Sequence, residues 1–330
     1  MRHIILAILL CLTQFLPAQL NGKYIFRHID QTDGLLHTTV KGISQDANGY
    51  MWILTWNGLQ RYDGSRFVNY PEIINHFTFG TFHDSELHAD TLKNNIWVFT
   101  AEKIKKLDLA TSTISSITLH DFLQEKLHQP ADLYTKENKE KWLIGESGAI
   151  AFDTNSKLIS EFFNVNPGQH NRNTVIIKDS LSGDLLTHNF NHLMIADHKS
   201  HRIYSSSDSL PEHPLLRQLW KLYGNSNKLR YILMDSDHNL WISTWTQWLH
   251  RYNRDTHVLT TYSLKDIVKQ ETGIDNSNNT LLVNAMYEDR QKNLWLATDY
   301  AGVLKYDRQK DNFNYITSDE KLSNGLRYTY

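Results

Sequence analysis

The chain has 330 residues, 40% of them hydrophobic and 21% charged, with fifteen Gly and six Pro. That balance excludes a disordered or collagen-like polymer and allows two or three domains or one large all-β domain. A formal net charge of -2, with no block of like charge, gives no long-range attraction for a phosphate backbone, so nucleic-acid binding is disfavoured.

The first element in chain order is an export signal. Met1-Arg2-His3 is a short basic start, Ile4 to Leu12 an apolar run, and Leu16-Pro17-Ala18-Gln19 a cleavage region. This is the three-part layout of a secretory signal peptide over residues 1–18. The apolar run is too short for a stable membrane span, and no other stretch of the sequence is long and apolar enough. Cys11 is the only cysteine, and a lipid anchor there would need a small residue where Leu10 stands. It leaves with the signal, so residues 19–330 are expected to form one exported domain without disulfides or thiol chemistry.

The rest of the chain repeats. The first copy runs Val40-x-x-Ile43-x-x-Asp46, Asn48-Gly49-Tyr50-Met51-Trp52-Ile53, Gly58-Leu59-x-Arg61-Tyr62-Asp63-Gly64 and Phe67-x-x-Tyr70. The last runs Val283-x-x-Met286-x-x-Asp289, Asn293-Leu294-Trp295-Leu296, Gly302-Val303-x-Lys305-Tyr306-Asp307 and then Phe313 to Tyr315. Looser copies between them carry Trp97, Trp142, Leu186 and Trp241 where Trp52 and Trp295 stand. These markers are about 45 to 55 residues apart, the spacing of propeller blades with several short strands each. Each unit reads as four strands. Asn48-Gly49 and Asp63-Gly64 supply the positive φ that tight hairpins need, and the Trp fills the gap between adjacent twisted sheets. The expected fold is an all-β propeller of four-stranded blades, with six recognisable units and the start of a seventh.

The string Asp33-Gly34-Leu35, Val40-x-x-Ile43-x-x-Asp46, Gly49-x-x-Trp52-Ile53-x-Thr55 and Gly58-Leu59-x-Arg61-Tyr62-Asp63-Gly64 resembles the two component regulator propeller repeat. That resemblance implies the periplasmic sensor region of hybrid two-component systems of the Bacteroidetes. In such relatives further sensor domains, a membrane helix and a histidine kinase follow, and many members are thought to sense oligosaccharides. Here Ser323-Asn324-Gly325-Leu326 parallels Thr32-Asp33-Gly34-Leu35 just before the end at Tyr330, which reads as a fragment or truncation. Tyr24 to Ile29 reads as an outer strand of a last blade whose inner strands are missing, leaving an open edge through which copies could associate.

In a propeller the turn between the second and third strands shares a face with the connection into the next blade. That places Trp56, Asn57, Glu146, Phe190, Trp245, Trp248, Asp299 and Tyr300 around one rim, with the connectors 71–81, 204–228 and 262–280 beside them. Aromatics next to carboxylates and amides suit sugar rings, although large aromatics are more often packing residues, and Trp56 and Trp245 taken singly favour packing between blades. Arg61, Arg251 and Lys305 share one repeat position and are expected to pair with nearby Asp or Asn as structure. His188/His192 and His198/His201 have metal-like gaps without a completing ligand set, so neither metal nor cofactor is expected. No serine-hydrolase elbow, phosphate loop or zinc-protease motif occurs. The expected function is a ligand-binding, oligosaccharide-sensing domain without catalysis. A propeller glycoside hydrolase or lyase, with two carboxylates on one face, is the alternative, and a propeller that binds only a protein partner is the third.

Overall fold

The computed structural model describes residues 26–73, 86–90, 94–99, 104–117, 130–135, 141–145, 148–152, 158–163, 176–179, 181–188, 193–197, 199–200, 202–205, 212–223, 229–273 and 281–308. These build six four-stranded antiparallel sheets. Strand β1 is Phe26–Ile29, and the first sheet is β2 (Val40–Gln45), β3 (Met51–Thr55), β4 (Gly58–Tyr62) and β5 (Phe67–Tyr70). The second is β6 (Glu86–Asp90), β7 (Asn95–Phe99), β8 (Ile104–Asp108) and β9 (Thr113–Ile117). The third is β10 (Pro130–Thr135), β11 (Lys141–Gly145), β12 (Gly148–Phe152) and β13 (Leu158–Phe163). The fourth is β14 (Ile176–Lys178), β15 (Leu185–His188), β16 (Leu193–Ala196) and β17 (Ile203–Ser205). Helix α1 (Pro214–Tyr223) leads to the fifth sheet, β18 (Leu229–Met234), β19 (Asn239–Thr244), β20 (Trp248–Asn253) and β21 (Leu259–Ser263). Helix α2 (Leu264–Thr272) leads to β22 (Val283–Glu288), β23 (Leu294–Thr298) and β24 (Val303–Tyr306).

The repeat motif explains the hairpins between the first two strands of sheets one, five and six. Asp46 closes the β2–β3 turn by accepting the backbone N–H groups of Asn48 and Tyr50 at 2.9 and 3.0 Å, and its second oxygen takes the Trp52 indole N–H at 2.8 Å. Asp235 holds Trp241 at 2.7 Å and Asp289 holds Trp295 at 2.7 Å in the same way. A buried carboxylate thereby fixes both the turn and the ring that packs on the next sheet, and it leaves no orphan indole donor. Gly49 and Gly64 take φ of 91° and 102°, as their turns require.

Between sheets, the marker side chains pack as expected where they are described. Trp52 lies with Leu54, Leu59, Ala89, Ile96, Val98 and Leu107, and Trp241 with Leu264, Met286, Leu294 and Leu304. Trp295 meets Val40, Ile43 and Ile53 of the first sheet, and Leu186 meets Ile232, Leu240 and Ile242. Trp97 is half-buried, while the Trp142 side chain lies outside the described residues.

Where the first two sheets meet, the close approach depends on Gly42. A Cβ there would stand 2.7 Å from Leu87 Cβ and 3.0 Å from its backbone nitrogen. Gly42→Ala is expected to destabilise by about 1–3 kcal/mol through overpacking, read as a lower urea midpoint with an unchanged slope.

Two expectations are revised. The connectors 204–228 and 262–280 contain α1 and α2. The apolar sides of these helices, Leu215, Leu216 and Leu219 in one and Leu264, Ile267 and Val268 in the other, fill wedges between neighbouring sheets. Strand β1 is an outer strand, but its partner is β24, with Phe26 opposite Tyr306 and Ile29 opposite Val303. The same chain supplies the inner strands it pairs with, so it completes the sixth sheet rather than a missing blade. Sheet six in turn meets sheet one through β22 and β2. The Ser323 to Thr329 parallel, Phe313 to Tyr315 and the signal segment 1–18 lie outside the described residues.

Arg61, Arg251 and Lys305 do serve structure, with different partners from those expected. Arg61 lies over the Tyr50 ring at 4.5 Å, Arg251 over Trp241 at 5.7 Å, and Lys305 over Trp295 at 5.0 Å. Arg251 and Lys305 stand directly across the ladder from the Trp they cover, so a cation–π pair follows from register.

Candidate functional site

The innermost strands begin with a bulge in four sheets. Pairing slips between Val40 and Gly42, Pro130 and Asp132, Leu229 and Tyr231, and Val283 and Ala285. A bulge leaves one residue out of the ladder and re-aims its side chain. In the first, fifth and sixth sheets that residue is Lys41, Arg230 or Asn284. These innermost strands are neighbours around the axis, so the three side chains converge where their strands start.

They converge on Asp299. Its Oδ1 accepts the Asn284 amide at 2.7 Å and lies 3.7 Å from the Lys41 ammonium. Its Oδ2 accepts Arg230 Nη2 at 3.2 Å. Asn284 also donates to the Val40 carbonyl at 2.7 Å, which ties the sixth sheet to the first. Arg230 Nε donates to the Val283 carbonyl at 2.9 Å, and Nη2 also reaches Asn284 Oδ1. Two rim aromatics flank the ions. Lys41 stands 5.5 Å from the Trp56 ring centroid and Arg230 4.3 Å from that of Trp245. The result is a continuous run of aromatic, cation, carboxylate, cation and aromatic groups across three sheets.

The cluster is largely buried, and its carboxylate is its most exposed member. The Arg230 side chain is 3% exposed and that of Lys41 6%, whereas Asp299 is 16% exposed. Burial pushes the Arg230 guanidinium down to about 10, with Asp299 opposing the shift, so it stays charged at neutral pH. Burial, and then the charge of Lys41, also lower the His37 imidazole. Arg230 Nη1 has no acceptor among the described residues, which is unusual for a buried donor of an ionised group.

Of the expected rim residues, Trp56, Trp245 and Asp299 are brought together. Trp56 and Trp245 are half-buried, and neither belongs to the apolar clusters between sheets. Their turns are pinned beside the strand starts: Trp56 N–H donates to Thr39, Asp299 N–H to Leu282, and the Trp245 indole to Leu229. Asn57, Trp248 and Tyr300 lie in the same turns or at their ends, exposed, and make no contact with the ions in the structure. Glu146 and Phe190 lie outside the described residues. Lys41, Arg230 and Asn284 were missed, although they occupy the open position after the first apolar residue of each inner strand. Among the described residues no three His, Cys, Asp or Glu side chains are grouped to hold a metal; His192, His198 and His201 lie outside them.

Residues 34–57 and 277–300 match the family model of the two component regulator propeller. These segments carry Lys41, Trp56, Asn284 and Asp299, while Arg230 and Trp245 lie outside them. No curated protein sequence matches the chain. Among solved structures, the extracellular domain of the hybrid two component system BT3049 from B. thetaiotaomicron superposes with a TM-score of 0.51 at 17% identity, over 86% of this chain and 41% of that one. The extracellular domain of BT4673 from the same organism gives 0.50 at 15% identity, over 89% and 41%. The chain thus spans about two fifths of those domains. Virginiamycin B lyase from Staphylococcus aureus gives 0.54 at 13% identity, over 85% and 98%. At such identities these likenesses establish the β-propeller fold and no more.

Proposed function

We propose that this chain, a β-propeller carrying two component regulator propeller repeats, is an exported ligand-binding part of a two-component sensor and performs no chemistry itself. The observation that carries the reading is the rim cluster, in which Trp56 and Trp245 flank the Lys41–Asp299–Arg230 ions. Rings with apolar faces next to fixed donors and acceptors are the chemistry that recognises saccharides, with stacking for the sugar face and hydrogen bonds for its hydroxyls. An oligosaccharide is therefore the proposed ligand class. Export rests on the sequence of residues 1–18, and among the described residues no helix is long and apolar enough to cross a membrane.

The lyase likeness favours a second reading, because that enzyme superposes as well as the sensor domains do. The two readings separate in one assay. The protein is incubated with a panel of neutral and acidic oligosaccharides, and melting temperature and released product are measured together. A sensor is expected to show a thermal shift with at least one saccharide and no product. Turnover of any glycan would replace the sensor reading with the enzymatic one, and the absence of a shift with every sugar would leave the protein-partner reading.

A further inference from the structure

The geometry points to an acidic ligand: we infer that Arg230 binds an anionic group of the ligand, a carboxylate or a sulfate, by exchanging it for Asp299. This deepens the saccharide reading above and rests on it for the rest of the ligand. Four observations support it.

A guanidinium presents two nitrogens in a fork that matches a two-oxygen anion. In Arg230 only half of that fork is used, since Nη2 holds Asp299 and Asn284 while Nη1 has no acceptor among the described residues. A nearly fully buried, ionised donor left without an acceptor is costly, and a ligand anion would supply one.

The two oxygens of Asp299 are also held unequally. Asn284 holds Oδ1 at 2.7 Å with Lys41 beyond it at 3.7 Å, whereas among the described residues only Arg230 holds Oδ2, at 3.2 Å. Release of Oδ2 therefore leaves the carboxylate anchored by its other oxygen, and the exchange strands no charge.

Access is the third observation. Asp299, at 16%, is the most exposed of the three ions, so the pair meets solvent at its carboxylate. The stacked Trp245 ring, at 4.3 Å, holds the guanidinium plane while the partner changes.

The three ions also carry one net positive charge, since Lys41 and Arg230 share the Asp299 carboxylate. An arriving anion is attracted over roughly a Debye length, so its binding weakens as salt is raised.

The test uses the intact protein and four probes by calorimetric titration: a hexuronic acid disaccharide, its neutral hexose counterpart, a sulfated disaccharide, and inorganic sulfate. An acidic disaccharide is expected to bind at least about tenfold more tightly than the neutral one, with affinity that falls as salt is raised. The two acidic probes decide between carboxylate and sulfate. In Arg230→Lys, which keeps the charge and loses the fork, the acidic-to-neutral ratio should fall towards one; in Asp299→Asn, which removes the competing carboxylate, it should rise. If a variant does not fold, the wild-type ratio and its salt dependence still decide. Equal affinity for acidic and neutral disaccharides would overturn the inference and leave the saccharide reading standing. Binding of sulfate, weakened in Arg230→Lys, with no saccharide bound would keep the anion site and overturn the saccharide reading. No binding of any probe would overturn both.

Discussion

Gly302→Ala is expected to destabilise the protein by about 3 kcal/mol and to loosen the N-terminal strand from the sixth sheet. Gly302 has a φ of +64°, and a Cβ on it would stand 2.3 Å from the Ile29 carbonyl oxygen and 3.3 Å from Leu35 Cδ2. That oxygen belongs to β1, so the clash falls on the strand that completes sheet six. The same residue donates its N–H to the Thr38 carbonyl at 2.7 Å, and His28 reaches the Ala301 carbonyl at 2.8 Å. A methyl group there disturbs two ties between the start of the chain and the β23–β24 turn, together with the seat of β1. Gly64→Ala is the control, because Gly64 also has positive φ, +102°, yet its Cβ would meet nothing within 4 Å. It should show backbone strain alone, about 1 kcal/mol. Urea denaturation measures both, and limited proteolysis near Phe26 to Ile29 reports whether β1 has come away. Equal losses in the two variants would show that β1 is not seated where the pairing places it.

The second large effect is expected at Asp235. This carboxylate is fully buried and takes the Trp241 indole at 2.7 Å, the backbone N–H of Asp237 at 2.9 Å, that of Asn239 at 2.8 Å and its side-chain amide. It also takes Arg308, which comes from the end of the neighbouring sixth sheet and further contacts Asp237 and Glu288. Asp235→Ala strands the Trp241 indole N–H and removes the buried partner of Arg308, which keeps Asp237 and Glu288, so a loss of about 3 kcal/mol is expected. Asp289→Ala is the internal comparison. Asp289 holds Trp295 and Asn293 in the same manner, but no cation pairs with it among the described residues. Its loss should be smaller by the share that Arg308 contributes. Thermal unfolding of the two variants side by side checks the ranking, and an equal or reversed order would show that the Arg308 link contributes nothing.

These two sites also mark how far the sequence could be read. The Asp-to-Trp relation repeats at Asp46, Asp235 and Asp289, and a side chain that recurs at a fixed interval announces a turn and a ring to be held. The blades were legible for that reason. The partner of β1 was not, because Phe26 to Ile29 carries the apolar pattern of any outer strand and pairing is decided by chain closure. Helices α1 and α2 were hidden for another reason. They are short, and their stripes, such as Leu264, Ile267 and Val268 after the cap at Ser263, sit inside stretches that resemble ordinary connectors. Part of the site was visible, since Trp56, Trp245 and Asp299 share one repeat position, just after Thr55, Thr244 and Thr298 in the turn between the second and third strands. Lys41, Arg230 and Asn284 were not, because their inward aim comes from a one-residue slip in strand pairing, and register is a property of two strands together.

The rim cluster as the ligand site is the central claim, and calorimetric titration of the Trp56→Ala, Trp245→Ala double variant tests it most directly. Both rings are half-buried and outside the apolar clusters, so the variant should remain folded with a midpoint close to that of the wild type. With the saccharide that gives the largest thermal shift in the wild type, its affinity is expected to fall at least about tenfold. A folded double variant that binds this saccharide as tightly as the wild type would place the ligand elsewhere and contradict the account.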